Sequence, residues 1–299
     1  MFTPLHGLNT AALTAYDDDG NVSPERFAKH LEHQMAVGVN GFFVCGSSGE
    51  GLYLTHDERK LVAEVAVHTC KGKAPVMVHV GSMTTDASVD LAKHAAQIGA
   101  DAVSSIAPVY YSLGLEAALN HYKAIGGATE LPFFIYHFPT LTGSALTAEN
   151  ASRLLEIPNL AGLKFTDAAL YLMRWMFEFT GEQLTMLSGP DELHLPAMTM
   201  GAHGAIGSTY NLLPGAWLRM REAYFAGDNA RASELQVKCN RIIYAWLQAG
   251  GLGYLKAAMK MTGLNLGRAR APLPSPNPDQ EPAFFAKMQA AGFEELAEL

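Results

Sequence analysis

The chain has little charge, and least of all positive charge: 17% of its 299 residues are Asp, Glu, Lys or Arg, and 21 basic residues face 29 acidic ones for a formal net charge of -8. A grip on nucleic acid or on an acidic membrane needs a basic face. No cluster of Lys and Arg provides one, so neither is an expected partner. Long hydrophobic runs are missing as well. No stretch approaches the ~18 apolar residues of a membrane span. The opening Met1-Phe-Thr-Pro-Leu-His-Gly7 lacks the basic segment and the roughly 7–15-residue apolar core of a secretory signal. The expectation is a soluble, cytoplasmic protein. Cysteine is scarce too, with Cys45, Cys70 and Cys239 odd in number, far apart and without a Cys-x-x-Cys pair. That pattern points to reduced thiols in a reducing compartment, not to a disulfide framework or a zinc site. Of the 11 histidines only His30 and His33 are close together, in a helical pattern without a His-Glu-x-x-His context, so no metal site is expected.

What the chain has is apolar content, 49%, enough for a large core, and a rhythm. Strand-like apolar runs fall at His6–Tyr16, Gly41–Cys45, Pro75–Val80, Ala102–Pro108, Pro132–Phe138, Leu160–Thr166, Leu184–Ser188 and Ala202–Ser208. Between them lie amphipathic stretches with helix-start signals: Ser23-Pro24, the capping box Thr55-His-Asp-Glu58, and Thr84-Thr-Asp86. Strand and helix alternating eight times with short connections predict a closed (β/α)8 TIM barrel in a single domain spanning 1–299, with the barrel over 1–225. A C-terminal helical extension over 226–299 follows, with helices expected at Asn229–Ala249, Leu252–Met261 and Glu281–Ala291 around a proline-rich loop at Ala271–Pro278.

One residue does not suit its place. Lys164 sits near the end of the apolar run Asn159–Asp167, which otherwise reads as a buried parallel strand. Either its stem packs on apolar neighbours while the head reaches water, or the amine is desolvated enough to attack a carbonyl and form a Schiff base.

Its company at the strand ends, where a barrel builds its active site, decides between the two. After the second strand, Gly46-Ser-Ser-Gly-Glu50 offers N–H groups and the hydroxyls of Ser47 and Ser48 to an anion. The loop lacks the Gly-Lys-[Ser/Thr] ending of a nucleotide-binding loop. Pro108-Val-Tyr-Tyr111 and Tyr136-His-Phe-Pro139 bring tyrosines, which are ordinary packing residues unless one lies beside an imine-forming lysine and shuttles protons. His137, one residue on, is expected to point away from the barrel interior, and Thr166 to share the face of Lys164. Gly189-Pro-Asp-Glu192 follows the seventh strand, where its acids either cap the next helix or, together with Gly207-Ser-Thr-Tyr-Asn211 after the eighth, present carboxylates and a hydroxyl to a polyhydroxylated ligand.

Taken together, Gly46–Glu50, Tyr136 and Gly162-Leu-Lys164 resemble the dihydrodipicolinate synthase/N-acetylneuraminate lyase superfamily of Schiff-base aldolases over nearly the whole chain. Tyr136–Gly143, Gly162–Asp167, Gly189–Glu192 and Gly207–Asn211 look most like the branch that cleaves N-acetylneuraminate, a sialic acid, reversibly to N-acetylmannosamine and pyruvate. The synthase branch places an arginine five residues after the tyrosine; here that position is Leu141. The resemblance implies that Lys164 forms the imine and Tyr136 acts as acid and base, with Ser47 and Tyr110 as proton relay. Tyr110 would be given to a neighbouring subunit's site, which implies a homotetramer. Ser47 and Ser48 would hold the pyruvate carboxylate, and Thr166, Gly189, Asp191, Glu192 and Ser208 would line the sugar side. No cofactor is implied, because the cationic imine is itself the electron sink. Ser48 replaces the family's usual threonine, Ala15 stands where a proline commonly ends the first strand, and Pro190 lies inside the Gly-x-Asp-Glu motif. The alternatives are an aldolase or dehydratase of 2-keto-3-deoxy sugar acids with the same lysine and tyrosine, and a ligand-binding barrel without turnover.

Overall fold

Eight short strands, nearly all of whose residues are buried, pair in parallel in sequence order and close on themselves: β1 (Gly7–Ala11), β2 (Gly41–Val44), β3 (Val76–His79), β4 (Ala102–Ile106), β5 (Phe133–His137), β6 (Leu160–Phe165), β7 (Thr185–Ser188) and β8 (Gly204–Gly207), with β8 returning to β1. The expected (β/α)8 barrel is the observed fold. The computed structural model describes residues 4–143, 146–147 and 149–299, and the opening residues 1–3 lie outside them.

The connecting helices are α1 (Pro24–Val37), α2 (His56–Cys70), α3 (Thr85–Gln97), α4 (Leu115–Gly126), α5 (Pro139–Thr142), α6 (Leu170–Phe179), α7 (His194–Thr199) and α8 (Pro214–Phe225). Their starts follow the sequence signals. The Ser23 and Thr84 side chains accept from the N–H groups of Arg26 and Ala87, and both halves of the capping box between Thr55 and Glu58 are formed. Such caps satisfy donors that the first helical turn leaves orphaned. The alternation is weakest after β5, where Pro139 opens a four-residue turn that Gly143 ends in the left-handed region (φ 57°), and a 3-10 helix at Ala151–Glu156 does the rest.

The first strand is shorter than the run His6–Tyr16 from which it was expected. Beyond Ala12 the backbone groups find partners outside the ladder: Leu13 N–H donates to the Asn211 side chain and Tyr16 N–H to Leu266 O. Asn211 also donates to Ala11 O and Ser208 O, and its Oδ1 lies 2.8 Å from His30 Nε2, so it ties the C-terminal end of β1 to the loop after β8. His30 thus has a structural partner; burial lowers its pKa to about 4, and no group of three metal-ligating side chains occurs among the described residues.

Apolar side chains form two layers. Phe43, Met77, Ala102, Phe134, Leu187 and Ile206 fill the barrel, while a larger set packs between the sheet and the helices. Gly162 is what lets the inner layer fit below Lys164, because a Cβ there would meet Thr185 O at 2.2 Å and the Phe134 ring at 2.5 Å.

After the barrel come α9 (Asn229–Ala249), α10 (Leu252–Ala258), α11 (Glu281–Ala290) and α12 (Phe293–Ala297). The last was not foreseen, and the stretch expected to be helical to Met261 turns 3-10 after Ala258. None of the described helices is long and apolar enough to cross a membrane.

Candidate active site

Lys164 lies at the C-terminal end of β6, paired in register with Tyr136 of β5 and Leu187 of β7. It is 4% exposed, and its Nζ sits 4.0 Å from the Tyr136 ring centroid and 4.2 Å from that of Phe43. The amine therefore does not snorkel to bulk water; it ends against two ring faces in the mouth of the barrel. Tyr136 is held in turn by edge contacts with Phe43 and His79, each at 5.9 Å, and by stacking on Phe138 at 5.8 Å. His137 behaves as expected of a residue on the other face: it stacks on Phe165 at 4.9 Å, and burial lowers its pKa to about 4.

A pocket of about 360 Å³ opens above Lys164, lined by Ser47, Ser48, Tyr136, Thr166, Gly189, Asp191, Glu192 and Ser208. Nine of the ten residues singled out from the sequence meet there. Tyr110 does not; it is 79% exposed, in edge contact with Tyr111, itself 72% exposed. A hollow of about 440 Å³ lies elsewhere, lined by residues around Cys70–Val76 and Asp101 before β3 and β4. Its one thiol, Cys70, is pushed up to about 12 by burial and offers no nucleophile.

The turn at 46–50 is bent in a way its side chains resist. Cys45 and Glu50, neither of them glycine, have φ of 60° and 57°, a conformation that costs about 1–3 kcal/mol per residue and persists only where the surroundings impose it. Gly51 has no room for a side chain, its Cβ position lying 1.8 Å from Cys45 O, and Gly49 O accepts the Thr14 hydroxyl at 2.6 Å. His79 braces the start of the turn, with Nδ1 3.2 Å from Cys45 O and Nε2 accepting Ile106 N–H at 3.1 Å. That pattern fixes the neutral tautomer with the proton on Nδ1. Burial, then Arg59, then Lys164 hold the His79 pKa well below its ordinary value.

On the other side of the mouth, Gly189 passes so close to Thr166 that a Cβ would lie 1.8 Å from its hydroxyl. Ser48, after β2, and Ser208, after β8, join hydroxyls at 2.6 Å across the end of β1. The two acidic neighbours differ: Glu192 is exposed at the rim, whereas Asp191 is buried, its Oδ2 accepting both Thr209 N–H and Thr209 Oγ1–H at 2.7 Å. Its Oδ1 lies where a Cβ of Gly207 would stand, so this carboxylate shapes the loop that carries Ser208. Burial raises the Asp191 pKa to about 6, against which the Thr209 hydrogen bonds work. The unfolded chain loses this proton near pH 4 and the folded protein only near 6, so ionising Asp191 opposes folding as pH rises. Between pH 4 and 7, Asp191→Asn should therefore gain stability relative to the native protein, by up to about 3 kcal/mol. Denaturant titrations of both proteins across that range check it; a difference that stays flat with pH would contradict it.

Three features of the site were not read from the sequence. His79 and Arg59, whose guanidinium donates to His79 O and Gly81 O, brace the turn from beneath. The pocket's far wall is Ile243, Trp246 and Leu247 of α9, so the extension reaches the site. The apolar spacing Cys239, Ile243, Trp246 was the one available signal, but it reads equally as core packing.

A carbonyl compound that reaches the base of this pocket finds a primary amine against the face of a phenol ring, with hydroxyl-bearing loops around the mouth. Fold and site together define a (β/α)8 barrel with a lysine at the base of its rim pocket. The profile of the dihydrodipicolinate synthetase family matches residues 4–291, and the chain belongs to that family. It is 36% identical over 273 residues to the N-acetylneuraminate lyase of Mediterraneibacter gnavus, covering 90% of this chain and 87% of that protein. The structure of a catalytic lysine mutant of Ruminococcus gnavus sialic acid aldolase superposes with a TM-score of 0.93 at 32% identity, covering 99% and 98% of the two chains. The dihydrodipicolinate synthase DapA-2 of Bacillus anthracis does so with a TM-score of 0.91 at 29% identity over 96% and 98%. Sialic acid aldolases and a synthase thus share this backbone, and the side chains must separate them.

Proposed function

We propose that this protein is a Schiff-base, pyruvate-dependent carbon-carbon lyase that cleaves N-acetylneuraminate reversibly to N-acetylmannosamine and pyruvate. The observation that carries the reading is the buried Lys164 amine 4.0 Å from the Tyr136 ring, beneath a pocket lined on its distal side by Thr166, Asp191, Glu192 and Ser208. Lys164 Nζ adds to the 2-oxo carbon and water leaves, giving a cationic imine. Tyr136 takes the proton of the C4 hydroxyl, the C3–C4 bond breaks, and its electron pair flows into the imine to give an enamine while the aldehyde departs. Protonation at C3 and hydrolysis release pyruvate and restore the amine. Ser47 and Ser48 hold the substrate carboxylate, Ser47 relays protons to Tyr136, and Gly189 and Thr166 bound the sugar side.

The exposed Tyr110–Tyr111 pair supports the further proposal that Tyr110 completes this relay in the site of a neighbouring subunit of a homotetramer. The three buried, unpaired cysteines support a cytoplasmic setting. Leu141, 47% exposed on α5, gives no cation for a second carboxylate and supports the sugar-cleaving branch over the synthase. Pyruvate release from N-acetylneuraminate, set beside that from a 2-keto-3-deoxy hexonate, tests the choice. Faster turnover of the shorter acid moves the assignment to that sister activity, and pyruvate binding with no turnover of either moves it to a ligand-binding barrel.

A further inference from the structure

The turn that carries Ser47 and Ser48 is closed by a residue whose side chain points away from the pocket. Glu50 is fully buried at its carboxylate, with one oxygen 2.7 Å from Lys256 Nζ on α10 and the other accepting Arg270 N–H at 2.8 Å. Lys256 is equally buried; its Nζ lies 3.8 Å from the Tyr16 ring centroid and 3.4 Å from Arg268 O. Arg270 stacks over the same Tyr16 ring and pairs with Glu58 at the start of α2. The Lys256 and Arg270 partners of the Glu50 side chain thus belong to the segment after β8, and Tyr16, which follows β1, completes the cluster. Its backbone belongs to the turn: Glu50 N–H donates to Ser47 O at 3.1 Å and Gly51 N–H to Gly46 O at 3.0 Å.

Buried ion pairs are poor stabilisers, because desolving both charges offsets their attraction, and apolar replacements are often tolerated. Directional contacts are what such a pair supplies that an apolar contact cannot. A left-handed, non-glycine residue at the end of a strained turn needs such a fixed point.

We infer that Glu50 and Lys256 are positioning residues: the pair anchors the 46–50 turn to the C-terminal extension, so that Ser47 and Ser48 meet the carboxylate of a 2-oxo acid. The inference rests on the reading that Lys164 forms an imine with such an acid. It makes α10 part of the substrate site although none of its atoms touches substrate.

The test uses borohydride trapping of an imine on Lys164, with pyruvate and with acetone, which has the carbonyl but no carboxylate. The charge-balanced double variant E50Q/K256M leaves no buried charge unpaired and should melt near the native protein. It should reach the native extent of trapping at saturation, yet need at least about tenfold more pyruvate for half-saturation, the scale of one lost charge-assisted hydrogen bond. Half-saturation by acetone should not move. Glu50→Asp, which keeps the charge and shortens the reach, should shift pyruvate in the same direction and provides the reading should the double variant not fold. An unchanged pyruvate half-saturation, or an equal shift for acetone, overturns the positioning role. Absence of trapping on Lys164 in the native protein overturns the functional reading first, and the inference with it.

Discussion

Replacing Lys164 by methionine should abolish lyase turnover, by about 10⁴-fold or more, while leaving the barrel folded. The size of the loss follows from the amine's part in every covalent step: without it there is no imine and no electron sink for the breaking C3–C4 bond, and effects of groups that act as one unit are of this order. Folding survives because Met has nearly the stem of Lys, and Nζ touches ring faces, of Phe43 and Tyr136, where a thioether methyl also packs well. Steady-state rates and a melting curve on the same preparation check both halves. A folded variant that keeps more than about one hundredth of the native rate would return Lys164 to a packing residue.

Tyr136→Phe should separate bond cleavage from imine formation. The ring stays, and with it the contacts to Phe43, His79, Phe138 and the Lys164 amine; only the hydroxyl goes. Turnover of N-acetylneuraminate should fall by about 10²–10⁴, the range for a lost general acid–base. Pyruvate should still be trapped on Lys164, more slowly. Equal loss of cleavage and trapping would show that the phenol acts by placing the amine and not by moving a proton.

The fold was legible because strand runs and cap signals repeat at the barrel's own period, and the capping box at Thr55 and the strand bearing Lys164 stand where the pattern puts them. The limits of β1 were not legible, since its ladder ends where Asn211, nearly two hundred residues away, takes over a backbone N–H. Nor was the division of labour between Asp191 and Glu192: adjacent in sequence and alike in chemistry, one is buried against Thr209 and the other open at the rim. The pocket residues could be named because a barrel fixes which end of each strand carries the site. The residues bracing them from behind, His79, Arg59 and Lys256, read in sequence as a strand histidine and two helical cations, and only the folded chain gives them partners.

The decisive measurement is to incubate the native protein with pyruvate and borohydride and map the modified peptide. An adduct confined to the peptide carrying Lys164, and formed on the same peptide when N-acetylneuraminate replaces pyruvate, is the result expected of a Schiff-base lyase. A folded protein left unmodified at Lys164 would contradict it, and the buried lysine would then be explained by packing alone.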